Sequence, residues 1–207
     1  VILDFMILAP LGAILMPALG ISTSEFGLVV SAYAFSAGLA GILSAGFADR
    51  FDRKRMLLFF YAGFLLGTLM CAVANSFEAL LLARIVTGLF GGVLGSVVFA
   101  ITTDLFPFSM RGRVMGILQT AFSASQILGI PLGIYAANTV GWHSPFFIIV
   151  GIGVIVGVVI VRNLKPINEH LKQNSDRKPF HHLWTTARDR RYQQGFLTTM
   201  FLAMGGF

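Results

Sequence analysis

The chain has 207 residues, of which 56% are hydrophobic and 12% are charged, and its formal net charge is +6. Soluble domains contain about 25% charged residues, so this composition argues against a soluble domain and favours a membrane protein. The single cysteine excludes a disulfide within the chain. No nucleic-acid partner is expected, because the basic residues stand in short segments between apolar runs and form no compact soluble surface.

Six apolar runs are long enough to cross a membrane, and a seventh begins near residue 195. About 20 helical residues at a rise of about 1.5 Å cross about 30 Å of hydrocarbon. The runs are continuous and lack the alternation of barrel strands, so we predict an all-α membrane protein. The predicted spans are residues 1–19, 25–48, 56–74, 77–104, 114–139 and 145–161.

These spans divide the chain into three predicted parts. Residues 1–162 form a six-helix transmembrane bundle, and residues 163–194 form a connector that is rich in charge and partly amphipathic. Residues 195–207 begin a seventh helix. Because the first residues lie inside a span and the last ones end early in another, we expect a piece of a longer protein.

Three predicted helix starts carry capping signals. Ser22 with Glu25, and Asn75 with Glu78, each place a polar cap residue three positions before a glutamate. Ser144 stands directly before a proline, which is favoured in the first turn of a helix. We predict helix starts at all three places.

The basic residues indicate the orientation in the membrane. Of the 15 Lys and Arg residues, 14 follow the second, fourth or sixth span, and only Arg84 lies elsewhere. By the positive-inside rule these segments are cytoplasmic. The start of the first helix and the connector at 162–194 are therefore expected in the cytoplasm, in a multi-pass membrane protein.

Two charges lie inside predicted spans. An arginine such as Arg84 costs at least about 2.5 kcal/mol within a membrane unless a partner or water compensates it. We interpret Arg84 as a group that stabilises an anion or controls the protonation of a nearby acid. Asp4 is the candidate acid. The alternatives are that Arg84 snorkels to the outer surface and that Asp4 is solvated near the cytoplasmic interface.

Glycine spacing predicts close helix packing in two spans. Gly88 with Gly92, and Gly129 with Gly133, are spaced so that membrane helices can approach closely. Pro131 lies between the second pair and predicts a kink or hinge. Five polar side chains are candidates for lining a cavity, with ordinary packing between helices as the alternative: Tyr33, Gln119, Gln126, Tyr135 and Asn138.

The sequence contains no nucleotide-binding loop, no metal-ligand cluster and no nucleophile constellation. We therefore expect no cofactor, no metal and no enzyme activity.

The charged segment between the second and third spans resembles a known family motif. Residues 49–54 read Asp-Arg-Phe-Asp-Arg-Lys, and the loop between helices two and three of the major facilitator superfamily follows Gly-x-x-x-Asp-Arg-x-Gly-Arg-Arg/Lys. This chain departs from that pattern at the first glycine, which is Ala45, and at the second, which is Asp52.

Further segments fit the same family. Arg84 and the glycines after it resemble the fourth-helix pattern, and Asp104 followed by residues 111–113 resembles the turn into helix five. Residues 129–133 and 141–143 resemble the fifth-helix signature and following loop of the drug/proton antiporter branch, which includes sugar-efflux-like members. The resemblance covers about residues 1–162, six of the twelve helices that such a transporter normally has.

This resemblance implies a secondary active transporter in the inner (plasma) membrane of a bacterium. Its two six-helix bundles rock around a central cavity and export a small organic molecule in exchange for protons. The implied partners are the lipid bilayer, the small-molecule substrate, protons and a missing C-terminal six-helix half. The alternatives are uptake by proton symport, a six-helix structural or regulatory membrane protein, and an integral-membrane enzyme.

The resemblance also implies roles for individual residues. Asp4 handles protons together with Arg84. A cytoplasmic latch closes the bundles at that face, and the alternative is a set of charges that only anchors the loop among lipid headgroups. The latch residues are Asp49, Arg50, Arg53, Lys54 and Asp104.

Overall fold

The computed structural model describes residues 1–44, 48–167, 193–195 and 197–198. In this part of the chain, six helical stretches are long and apolar enough to cross a membrane, which confirms the predicted all-α, six-span fold. Most of the predicted connector and of the seventh helix lies outside the described residues. The elements are α1 (Ile2–Leu19), α2 (Thr23–Ser44), a 3₁₀ turn (Ala48–Arg50), α3 (Arg53–Val73), α4 (Phe77–Leu105), α5 (Phe108–Ala124), a π turn (Ser125–Gly129), α6 (Ile130–Val140) and α7 (Ser144–Asn163).

Caps lie on both sides of the junction between α1 and α2, and the sequence predicts the one at the start of α2. Gly20 ends α1 with a φ of 63°, a left-handed conformation that favours glycine. The Ser22 amide donates to the Glu25 carboxylate at 2.8 Å, and the Glu25 amide donates to the Ser22 hydroxyl at 3.3 Å. This reciprocal capping box satisfies amides that a helix start leaves unpaired.

Two predicted caps are wrong. The cap of α4 is Ser76 rather than Asn75, because the Ser76 hydroxyl accepts from the Ala79 amide at 3.2 Å. The Asn75 side chain instead donates to a carbonyl at the end of α3. The Ser144 hydroxyl donates to the Gly141 carbonyl at 2.7 Å, so it closes the preceding turn and caps no amide.

The fifth span begins earlier than the predicted residue 114. Helix α5 starts at Phe108, directly after Pro107. Arg111 therefore lies in its first turns, and its guanidinium donates to the carbonyls of Phe106 at 3.0 Å and Thr103 at 2.8 Å. Because the long arginine side chain bonds the last carbonyls of α4, its charge does not interrupt the helix.

The fifth span continues from α5 into α6 through the π turn. The Ile130 amide donates to the Ser125 carbonyl, one residue further back than in an α-helix. Pro131 follows immediately, in the first turn of α6. A proline inside a helix lacks an amide and clashes with the carbonyl four residues earlier, and a locally wider turn relieves that clash. The proline thus lies at a change of helix type.

Glycines allow α4 to pack tightly against α2. A Cβ atom added to Gly88 would collide with the backbone of Tyr33, and one added to Gly92 would collide with that of Ala37. A Cβ on Gly95 would meet nothing within 4 Å. The Gly88 and Gly92 side of α4 therefore makes the close approach that such spacing permits in membranes.

Glycines of the fifth span pack against α1. A Cβ on Gly129 would collide with Leu3, and a Cβ on Gly133 would collide with Ile7. Gly129 ends the π turn and Gly133 lies in α6. The same spacing therefore serves two different helix pairs.

Contacts between helix ends and loops define two ends of the bundle. At one end, which we call the basic face, the start of α3 contacts the ends of α4 and α7 through Arg53 and Lys54. At the opposite end, the His143 ring lies 3.0 Å from the Ala74 carbonyl. Each end therefore joins segments that are distant in sequence.

Candidate functional site

A buried ion pair joins α1 to α4. The Arg84 Nη1 atom donates to the Asp4 Oδ2 atom at 2.9 Å and lies 3.4 Å from the Asp4 carbonyl oxygen. Both side chains are 0% exposed. Arg84 therefore does not reach the surface of the bundle described here, and Asp4 is not solvated within it.

Aromatic side chains cover the pair. The Arg84 guanidinium carbon lies 4.4 Å from the centre of the Tyr33 ring. Such a cation–π contact contributes about 2 kcal/mol when it is desolvated. Phe5 packs on the same tyrosine, with ring centres 5.1 Å apart. Tyr33 was predicted to line a cavity, and it is buried beside the ion pair.

Three polar atoms of the pair have no hydrogen-bond partner among the described residues. They are Oδ1 of Asp4 and both Nε and Nη2 of Arg84. Buried polar groups are normally bonded, and leaving one unsatisfied costs about 1–3 kcal/mol. The pair is therefore electrically balanced and under-bonded, so it retains capacity for a proton, a water or a ligand group.

Sequence reasoning missed the polar neighbours of this pair. Thr87 lies one turn after Arg84 on α4, and its hydroxyl bonds the Ala83 carbonyl. The Cys71 sulfur lies 3.8 Å from that hydroxyl. The spacing of Arg84 and Thr87 was a usable signal, because residues three apart share a helix face. The approach of Cys71 from α3 had no signal in the sequence.

The second candidate site is the basic face. The Arg53 Nε atom donates to the Asp104 carboxylate at 3.0 Å, and its Nη1 atom donates to the Ala48 carbonyl at 3.1 Å. Arg53 belongs to the first turn of α3, and Asp104 belongs to the last turn of α4. Arg53 thus links the loop after α2 to the end of α4.

Other predicted latch residues lie around this link. Lys54 donates from Nζ to the Val161 carbonyl at 3.0 Å, at the C-terminal end of α7. Arg50 is exposed at the end of the 3₁₀ turn. Asp49 belongs to that turn, but its side chain lies outside the described part of the structure.

Asp52 has a local role that explains its departure from the family pattern. Its Oδ1 atom accepts from the Arg55 amide at 2.9 Å, so Asp52 caps the N-terminus of α3. Its φ is −57°, a conformation open to any residue. A carboxylate at a helix N-terminus is also favoured by the helix dipole. The loop therefore does not need glycine here.

The four remaining cavity candidates lie on a different span from Tyr33. They occur along the fifth span and are exposed, with Tyr135 70% exposed. The Asn138 side chain donates to the Ile134 carbonyl of its own helix. These side chains face away from the bundle described here: Gln119, Gln126, Tyr135 and Asn138.

Comparisons with known proteins agree with this architecture. Multidrug resistance protein 3 of Bacillus subtilis (strain 168) is 35% identical over 156 residues, which are 75% of this chain and 30% of that protein. A probable sugar efflux transporter of Helicobacter pylori (strain G27) is 27% identical over 145 residues, 70% of this chain and 37% of that protein. This chain therefore spans less than half the length of these relatives.

A solved structure shares the fold. It is a bacterial homolog of the human lysosomal transporter Spinster, in an inward-facing and occupied conformation. The TM-score is 0.68 at 19% identity, over 80% of this chain and 42% of that one. The sequence profile of the Major Facilitator Superfamily matches residues 1–207. The chain belongs to the Major Facilitator Superfamily.

Proposed function

We propose that this chain is the N-terminal six-helix half of a secondary active transporter that exports a small organic molecule in exchange for protons. The observation that carries the proposal is the Asp4–Arg84 pair, with both side chains 0% exposed. Isolated charges inside membrane proteins are costly, and they commonly belong to proton or substrate pathways. Relatives named for multidrug resistance and sugar efflux support the direction of transport.

The Asp4–Arg84 pair provides a chemical mechanism that couples proton movement to substrate transport. Asp4 Oδ2 accepts from Arg84, whereas Oδ1 has no partner among the described residues, so Oδ1 is the atom that takes the proton. Protonation neutralises Asp4 and weakens its hold on Arg84. A buried cation without its anion is unfavourable, so Arg84 then turns to another acceptor. Its Nε and Nη2 donors have no partner among the described residues, and we assign them to a substrate group or to water.

The basic face supplies the latch. Arg53 and Lys54 bind the start of α3 to α4 and α7, so these three helices move together. Asp49 and Arg50 lie at the turn before α3, where they meet the C-terminal six-helix half when this face is closed. We assign this face to the cytoplasm of a bacterium and the chain to its inner membrane, by the positive-inside rule.

The test begins with a substrate found by an export screen, in cells lacking their own exporters, using ethidium and labelled sugars as probes. The full-length protein is then reconstituted in vesicles with an imposed proton gradient. We expect Asp4→Asn and Arg84→Ala each to lower gradient-driven transport at least about tenfold. Membrane insertion should be unchanged, because every span retains its apolar length.

Arg113→Gln is the matched control, because Arg113 is an exposed arginine on α5 away from the pair. Wild-type rates for both Asp4→Asn and Arg84→Ala would refute the role of the pair. If the substrate moved in the same direction as the proton, and not in the opposite direction, the protein would be a symporter and the proposal of export would be wrong.

A further inference from the structure

A groove runs between α3 and α7 on the outside of the bundle and ends at the basic face. Its volume is about 440 Å³. Both walls are apolar, and the residues of α7 that form its rim are about half exposed. Lipid tails are as apolar as these side chains, so a surface of this kind suits contact with lipid. The walls are formed by Leu58, Ala62 and Leu65 of α3 and by Val154, Val158 and Val161 of α7.

The groove results from the way in which α3 and α7 pack. The Tyr61 hydroxyl donates to the Gly153 carbonyl at 2.8 Å, which fixes the distance between α3 and α7. A Cβ on Gly157 would lie 3.2 Å from the Tyr61 ring. Since α7 presents glycine where α3 presents tyrosine, the helices meet along one line and leave the groove beside it.

Cations surround the end of the groove at the basic face. Arg162 lines the groove in the last turn of α7 and is exposed. The Lys54 ammonium lies 3.0 Å from the Val161 carbonyl, in the same turn. Lys165 follows shortly after and is exposed as well. No carboxylate among the described residues pairs with Arg162, so its charge is available to a ligand.

We propose that this groove binds one anionic phospholipid. One of its acyl chains lies between α3 and α7, and its phosphate contacts Arg162. Lys54 and Lys165 add positive potential around the phosphate. The groove alone would accept the chain of any lipid, whereas the cations select a negative headgroup. Basic pockets between transmembrane helices hold such headgroups, and the arginine fork matches the geometry of phosphate oxygens.

The charge selectivity is tested by native mass spectrometry of the purified full-length protein. Phosphatidylglycerol and phosphatidylcholine with identical acyl chains are offered at equal concentration. We expect one tightly retained phosphatidylglycerol and weaker retention of phosphatidylcholine. Arg162→Gln should weaken phosphatidylglycerol binding about fivefold, the effect of one basic residue near an anionic surface. Arg113→Gln removes another exposed charge, one outside the groove, and should leave binding unchanged.

The acyl-chain part is tested with two valines of α7. Val158 lines the groove and is 45% exposed, whereas Val156 is 42% exposed and does not line it. Val158→Phe fills the groove and should weaken binding of both lipids, and Val156→Phe should not. Equal loss from the two valine variants, equal retention of the two lipids, or displacement by glycerol phosphate as effective as by the whole lipid would each overturn the proposal.

Discussion

Two arginine–aspartate pairs in this chain have nearly the same bond length and very different surroundings. Arg84 lies 2.9 Å from Asp4, with both side chains 0% exposed. Arg53 lies 3.0 Å from Asp104, with side chains 7% and 25% exposed. Among the described residues, Asp4 and Arg84 leave three polar atoms unbonded, whereas Arg53 also bonds a second segment of the chain through the Ala48 carbonyl. Distance alone therefore does not distinguish a buried pair with unbonded polar atoms from a partly exposed pair that has further partners.

The largest expected effect comes from breaking the buried pair. Arg84→Gln leaves the Asp4 carboxylate buried without its cation, and we expect a loss of about 3–5 kcal/mol in the free energy of unfolding. The double variant Asp4→Asn, Arg84→Gln removes both charges and should recover most of that loss. Unfolding of the purified protein by SDS measures both values. An Arg84→Gln variant as stable as wild type would show that the pair is not a coupled unit.

A smaller effect is expected at the basic face. Arg53→Gln removes a charged hydrogen bond to Asp104, and we expect a loss of about 1.5–3 kcal/mol in the same measurement. Because Asp104 is partly exposed, its charge remains solvated when Arg53 is lost. Molar salt should reduce the contribution of this pair and leave that of Asp4 and Arg84 nearly unchanged, because buried charges are screened less. Equal salt dependence of the two pairs would contradict the comparison.

The smallest effect concerns the cap beside Arg53. Asp52→Ala should destabilise the protein by about 1 kcal/mol, because the Arg55 amide loses its acceptor. Asp52→Gly restores the family pattern and should cost only a few tenths of a kcal/mol. The ratio of the two losses, measured by thermal unfolding in detergent, checks the capping role. A greater loss from glycine than from alanine would show that Asp52 acts in another way.

The two sites differ in how far the sequence predicts them. Asp4 and Arg84 stand out as charges within apolar spans, but their pairing across 80 residues depends on how α1 meets α4. Sequence periodicity carries no information on that packing. At the basic face, two separate segments that resemble the family mark Arg53 and Asp104. The family pattern has glycine where this chain has Asp52, so the sequence marks Asp52 only as a departure. The structure shows that Asp52 caps the N-terminus of α3.

The fold likewise has features that the sequence predicts and features that it does not. The length of each apolar run predicts six spans, because crossing hydrocarbon fixes a minimum helix length. The predicted start of the fifth span is too late, because it places a charged residue outside the helix. Arg111 lies within α5, and its side chain bonds the end of α4. The π turn before Pro131 was predicted only as a kink, because the proline shows where regular bonding fails and not which bond replaces it.

The segment after α7 returns to the start of α3. The Arg53 amide donates to the Ile167 carbonyl at 3.2 Å, and Ile167 is 8% exposed. Residues 164–167 therefore run from the end of α7 to the residue that binds Asp104. A force applied to the chain at Ile167 thus acts on the first turn of α3, where Arg53 bonds Asp104, as well as on α7.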